Sequence, residues 1–197
     1  MPDDSAKLAG NPNALMSLAF GGVGWQAAPP TPKNMGKSRF KYDVKDVRCT
    51  ASWNPGSNLL SFSPSPTGGA LYLPWREDHV TYARLPGDCQ LFCTGPFTGC
   101  NFYAAGDPAA PVVMHTNSNT DAGDRAKNNA AKQELAAGVL EAENVLNVSH
   151  SVEWKDYEAL QLIGYVFGFK TSAAWDFSII GTCTNTNKKL IAGIRRQ

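Results

Sequence analysis

Between Phe40 and Thr116 prolines and glycines break the chain into short apolar runs, and in the first of these the apolar residues fall at every second position. Phe40, Tyr42 and Val44 alternate with polar residues, and Val47, Cys49, Ala51 and Trp53 do the same. A period of two puts such side chains on one face of an extended strand. The spacing predicts one long strand or two, with a bulge near Lys45-Asp46. Leu59–Ser63 is a further strand ended by Pro64, and Ala70–Leu73 is one closed by Pro74. His79–Leu85 follows with Val80 and Tyr82 on one face, then Gln90–Thr94. Cys100–Ala105 and Val112–Thr116 read as a hairpin around Gly106-Asp107-Pro108, whose residues are strong turn formers.

The period then changes. From Asp124 to about Asn147 the chain is rich in Ala, Glu, Lys and Leu, and Leu135, Val139, Ala142 and Leu146 form one stripe at helical spacing. This predicts the one long helix, capped by Asp121 or Asp124. Strand-like runs return at Leu160–Phe169, Trp175–Cys183 and Leu190–Ile194, and Glu153–Leu162 reads alternatively as a second helix running into a strand. Residues 1–36, with Gly21-Gly-Val-Gly24 and Ala28-Pro-Pro-Thr-Pro32, read as loosely ordered apart from a short strand near Leu18-Ala-Phe20. Residues 37–197 then form one α+β domain of many strands and few helices.

Composition narrows the function. A chain of 197 residues with 43% apolar content can bury a real core. A net charge of +1 gives no electrostatic case for a nucleic-acid partner. No stretch approaches a membrane-spanning helix, and the start Met-Pro-Asp-Asp-Ser-Ala-Lys lacks the apolar core of a classical secretory signal. The cysteines Cys49, Cys89, Cys93, Cys100 and Cys183 are odd in number and not spaced as a disulfide framework, so free thiols are expected.

Residues Thr94–Cys100 read Thr-Gly-Pro-Phe-Thr-Gly-Cys, and His115 follows in the run Val-Val-Met-His-Thr. A thiol attacks an acyl carbon only as thiolate, so Cys100 needs a base, and His115 on the next strand supplies one. Gly99 lets the backbone turn sharply into Cys100, and with Thr98 and Gly95 shapes the turn that presents its sulfur and amide to an oxyanion. The hydroxyl of Thr94 can accept the second imidazole N–H and fix the tautomer. No Asp or Glu lies between Asp88 and Asp107, which fits a hydroxyl or a carbonyl in the orienting place.

This segment resembles the active site of the cysteine-dependent protein glutamine deamidases. That family includes the cytotoxic necrotizing factor catalytic domain, the chemoreceptor glutamine deamidases and Burkholderia lethal factor. The Gly-Cys pair with His115 fifteen residues on resembles the necrotizing factors, and the threonine six residues before the cysteine resembles the other two. Thr98 departs from the serine common in the toxins. The resemblance covers about residues 90–117. It implies a mixed β-sandwich with flanking helices, and a secreted, monomeric toxin or effector that needs no cofactor. Such a hydrolase is made in a bacterial cytoplasm, leaves it without a classical signal and acts in a host cytosol. It converts a glutamine of a host protein to glutamate through a thioester on Cys100, with His115 and Thr94 completing the triad. The implied partner is a translation-initiation RNA helicase, so that translation is inhibited, with deamidation or transglutamination of Rho-family GTPases the alternative. The loops at Trp53–Asn58, Pro74–His79 and Asn117–Asp124 are expected to flank the site.

Other readings compete. Cys49, Cys93 and Cys183 lie in apolar runs and read as structural, and His79 and His150 as surface or core polar residues. Thr94 also suits a strand end, and Gly95 and Gly99 a plain turn. Cys89, Cys93, Cys100 and His115 form a possible zinc set, though without a CxxC knuckle. A non-catalytic interaction module, and a cysteine protease or acyltransferase with the same dyad, complete the alternatives.

Overall fold

The alternating runs form strands, and among the described residues these build two mixed sheets. The computed structural model describes residues 3–11, 15, 23–25, 33–34, 38–57, 59–118, 123–186 and 188–194. The strands are β1 (Val23–Trp25), β2 (Lys33–Asn34), β3 (Arg39–Lys41), β4 (Arg48–Asn54), β5 (Leu59–Pro64), β6 (Ala70–Leu73) and β7 (Val80–Arg84). They continue as β8 (Leu91–Phe97), β9 (Asn101–Ala105), β10 (Val112–Thr116), β11 (Val148–Val152), β12 (Leu162–Lys170), β13 (Trp175–Cys183) and β14 (Lys188–Gly193). The helices are α1 (Ser5–Gly10), α2 (Val44–Val47), α3 (Arg125–Ala142) and α4 (Trp154–Tyr157), the last continued by a 3-10 turn at Glu158–Leu160.

One sheet has the order β1-β5-β4-β6-β8-β12-β13-β14, the other β11-β9-β10-β7-β3-β2. Pairing is antiparallel except at β1–β5, β6–β8 and β3–β7. The sheets pack face to face. Leu71, Leu73, Phe92, Phe97, Val166 and Phe177 from the larger meet Ala83, Phe102, Ala104 and Val113 from the smaller in one buried cluster. Alternation sends their neighbours to the outer faces. There Leu8 of α1 and Leu15 cover Cys49, Ala51, Leu60, Leu91 and Cys93, while Ala136 and Val139 of α3 cover Val80, Tyr82, Val112 and Met114. The result is one α+β domain, a sandwich with a helix against each outer face.

The β9–β10 hairpin forms as expected, with Ala105 opposite Val112. The α2 turn replaces the expected bulge at Lys45-Asp46, and β11 was not foreseen because Val148–Val152 holds too few apolar residues to signal a strand. The loose order expected over residues 1–36 does not hold for Asp3 to Gly10. Asp3 and Asp4 accept hydrogen bonds from the backbone N–H groups of Gly69 (2.7 Å) and Trp53 (3.0 Å), and Leu8 is buried. Two aspartates that read as solvated therefore pin α1 onto the sheet. The expected strand at Leu18–Phe20 and the cap at Asp121 lie outside the described residues.

The long helix starts at its expected cap, where Asp124 accepts from the Lys127 N–H at 3.0 Å, but it ends at Ala142. Its buried positions are Asn128, Lys132, Ala136 and Val139. Leu135 and Val139 of the expected stripe pack against the sheet, but Leu146 lies beyond the helix and is 90% exposed, and the buried face takes in Asn128 and Lys132 as well. Two polar residues thereby come to lie against the strands that carry Cys100 and His115.

Candidate active site

The site lies between the sheets, where β8 meets the β9–β10 hairpin. Thr94 lies on the inward face of β8 and pairs with Leu73 of β6. Its hydroxyl donates to the Leu73 carbonyl at 2.8 Å and lies 2.7 Å from Nδ1 of His115. A hydroxyl has one proton. With that proton given to Leu73, the oxygen is the acceptor toward His115, so Nδ1 carries hydrogen and Nε2 keeps its lone pair. Nε2 has no hydrogen-bond partner among the described residues. Phe97 holds the ring from its face, stacked with centroids 4.2 Å apart. The residues between these two grips need Gly95, whose φ of +153° is joined to a backbone so close to Tyr165 that a Cβ would sit 2.5 Å from its Cδ1.

Cys100 and His115 share a face. In the hairpin register Phe102 is opposite His115 and Asn101 opposite Thr116, and both Phe102 and Cys100 belong to the inter-sheet cluster. Two residues along β9 from the partner of His115, Cys100 is its diagonal neighbour, within reach of long side chains. The Cys100 sulfur accepts a hydrogen bond from Asn117 Nδ2 at 3.2 Å, not from His115. Asn117 is oriented by the Asp78 N–H, which donates to its Oδ1 at 3.4 Å. The Tyr157 hydroxyl donates to the Cys100 carbonyl at 2.7 Å, and Lys132 Nζ donates to the Gly99 carbonyl.

Burial sets the charge state. It lowers the imidazole of His115 to about 3 and raises the Cys100 thiol, a rise opposed by the Asn117 hydrogen bond and the Lys132 charge. The His115 imidazole is therefore neutral near pH 7, and burial makes the Cys100 thiol hold its proton more tightly than a free thiol does. Cys100 is 3% exposed, but Gly99 beside it faces open space, since a Cβ placed there meets nothing within 4 Å. A depression of about 360 Å³ adjoins that opening, lined by Thr98, Gly99, Gly123, Arg125, Asn128, Lys132 and Trp154.

The structure thus joins Thr94 to His115 directly, and sets Cys100 on the same face. Thr98 is exposed on the turn, while Gly95 shapes the strand beneath it. Sequence reasoning placed Asn117 only as the start of the expected flanking loop Asn117–Asp124, which does reach Cys100 through it, and it missed Phe97, Lys132 and Tyr157. It also missed Thr81, which pairs with His115 across β7–β10 and, like Nε2, has a buried side-chain oxygen without a hydrogen-bond partner among the described residues. Of these, Phe97 alone lies inside the motif. The expected flanking loop at Pro74–His79 does reach the site through Asp78. The turn after Trp53 does not: the β4–β6 register puts it at the end of the sheet away from Leu73 and Thr94. The zinc set is not assembled, because Cys93 faces α1 while Cys89 and Cys100 face the other sheet. No group of three or more metal-binding side chains occurs among the described residues. All five cysteines are buried free thiols.

Among the described residues no helix is long and apolar enough to cross a membrane. In comparison with known proteins, the chain matches no protein-family model and no curated protein.

Proposed function

We propose that the chain is a cysteine-dependent protein glutamine deamidase in which Cys100 is the nucleophile, His115 the base and Thr94 the orienting group. The observation that carries this reading is the Thr94–His115 hydrogen bond between the sheets. It fixes the tautomer that leaves Nε2 as a free base on the face occupied by Cys100. In the reaction Nε2 takes the Sγ proton, and the thiolate attacks the carboxamide carbon of a glutamine entering past Gly99. Asn117 Nδ2, now 3.2 Å from the sulfur, is placed to donate to the oxyanion together with the Cys100 amide. The imidazolium returns its proton to the amide nitrogen, the C–N bond breaks, and ammonia leaves a thioester on Cys100. Nε2 then deprotonates a water that attacks the thioester carbon, and Cys100 departs protonated as glutamate forms.

The resemblance, rather than the geometry, selects the target. It favours a translation-initiation RNA helicase of a host cell, with a Rho-family GTPase the alternative, and a secreted toxin or effector acting in the host cytosol. The experiment is mass spectrometry of eukaryotic extract treated with the wild type or with Cys100→Ser. A glutamine converted to glutamate by the wild type alone is expected, and names the target. A cleaved or acylated protein would replace this reading with a protease or acyltransferase. An extract unchanged by both, with no ammonia released, would leave an interaction module.

A further inference from the structure

Lys132 is 1% exposed on the buried stripe of α3, and no ion pair to it occurs among the described residues. A buried ammonium without a carboxylate is costly, and its desolvation lowers the tendency of this amine to hold its proton. A neutral leucine would fill the stripe at no such cost. The surroundings show what the ammonium faces. Nζ donates to the carbonyl of Gly99, the peptide immediately before Cys100, and lies 5.4 Å from the centroid of the Trp154 ring. That carbonyl belongs to the peptide leading into Cys100, and the Lys132 ammonium and the Cys100 thiolate favour each other's charged forms.

We propose that Lys132 is the positive charge against which the Cys100 thiolate forms, and that its bond to the Gly99 carbonyl sets the orientation of the Cys100 amide. This rests on the reading of Cys100 as nucleophile. The trans peptide plane makes the second role follow from the first: the Cys100 N–H points opposite to the Gly99 carbonyl that Lys132 holds. His115 is too deeply desolvated to persist as the imidazolium of a resting ion pair, so it moves protons while Lys132 supplies the lasting charge. In acylation the Sγ proton passes to His115 Nε2 and later to the departing nitrogen, and the Lys132 ammonium keeps its protons throughout. The remaining groups around the sulfur do not compete for this part. Asn117 is neutral, and the Tyr157 hydroxyl is spent on the Cys100 carbonyl, with its phenol pushed further up by burial. Glu153 is taken up by Tyr103, Gln133, Asn129 and Lys155, and Asp156 by the Glu153 N–H. Arg125, on the other side of the depression, pairs with Glu158.

The test is thiolate absorbance at 240 nm against pH, each protein measured as the difference from the same protein carrying Cys100→Ser. Lys132→Gln keeps a donor for the Gly99 carbonyl without the charge, and is expected to raise the Cys100 midpoint by ~1–3 pH units, so that at fixed pH the thiolate falls at least ~10-fold. Lys132→Arg restores a charge that cannot act as a base, and is expected to return the midpoint to within ~0.5 of the wild type. A Lys132→Gln midpoint equal to the wild type overturns the proposal, and so does a Lys132→Arg protein that behaves like Lys132→Gln. A second measurement needs no change at position 132. The Lys132 13Cε resonance of the wild type should shift with the Cys100 midpoint and stay flat in Cys100→Ser, and a flat trace in the wild type also overturns the proposal. Neither readout uses a substrate. Absence of glutamine deamidation with these titrations intact would therefore sink the deamidase reading alone, and the converse would sink Lys132 alone.

Discussion

Thr94→Val probes the contact on which the site depends, with little change of shape. The valine fills the space of the threonine but neither accepts from His115 nor donates to Leu73. His115 and Thr94 are both fully buried, so water cannot take over either bond. Stranding the imidazole N–H costs ~1–3 kcal/mol, and the Leu73 carbonyl adds less because it has a second lone pair, for a total of about 2–4 kcal/mol. Against a total stability of ~5–15 kcal/mol the variant still folds. With a urea slope of ~2 kcal/mol/M its midpoint falls by ~1–2 M. Thr94→Ser keeps the hydroxyl and loses one methyl, at about 1 kcal/mol. In a His115→Phe background there is no imidazole to strand, so the cost of Thr94→Val falls by ~1–3 kcal/mol, and that difference is the coupling. The assay is urea unfolding followed by circular dichroism, as a double-mutant cycle. A coupling below ~0.5 kcal/mol, or a Thr94→Val no weaker than Thr94→Ser, would refute the hydroxyl relay.

Cys100→Ser and His115→Ala are each expected to abolish ammonia release from a glutamine substrate while preserving the circular dichroism spectrum. The double variant should be no worse, because the two residues act as a unit; an active serine variant would remove Cys100 from its role. His115, lowered to about 3 from 6.5, stays neutral in the fold while the unfolded chain takes up a proton below pH 6.5. Its contribution is therefore present above pH 6.5 and lost as pH falls toward 3, at up to ~1.4 kcal/mol per pH unit. Between pH 6.5 and 5, urea melts of His115→Gln should show a correspondingly flatter pH dependence than the wild type, and identical slopes would contradict a buried neutral imidazole. Gly99→Val should close the opening beside Cys100 and slow its alkylation by iodoacetamide at least ~10-fold with little loss of stability, and unchanged alkylation would mean access from another side. Leu146→Ala should change stability by less than ~0.5 kcal/mol, whereas Val139→Ala should cost ~1–3 kcal/mol, and the reverse order in thermal melts would put Leu146 rather than Val139 in the core.

The strand pattern was legible because alternation is local: a half-buried strand writes its two faces into successive residues, and proline and glycine mark its ends. Ala70–Leu73, Val112–Thr116 and Trp175–Cys183 have their ends at the residues the sequence indicates. The segments Asp3–Gly10 and Val148–Val152 were less legible, because polar residues there bond to the backbone of other strands, and no local period records that. The α3 face was legible only in part, for a similar reason, since Leu135 and Val139 do pack against the sheet. Asn128 and Lys132 are buried at positions that residue type alone assigns to solvent, while Leu146 is left outside by a helix that ends at Ala142.

The same division runs through the site. The sequence by itself determined that Cys100 follows a glycine turn, that His115 sits on the return strand of a hairpin, and that Thr94 precedes both, since each depends on short-range spacing. Only the tertiary structure decided that Thr94 reaches His115 from the opposite sheet, that Asn117 and not His115 holds the resting sulfur, and that a lysine from a helix outside the sandwich is buried against the peptide of Gly99 and Cys100. Those contacts join strands and helices far apart along the chain, and they arise because the inner faces of two sheets must be buried against each other before any of these groups meet.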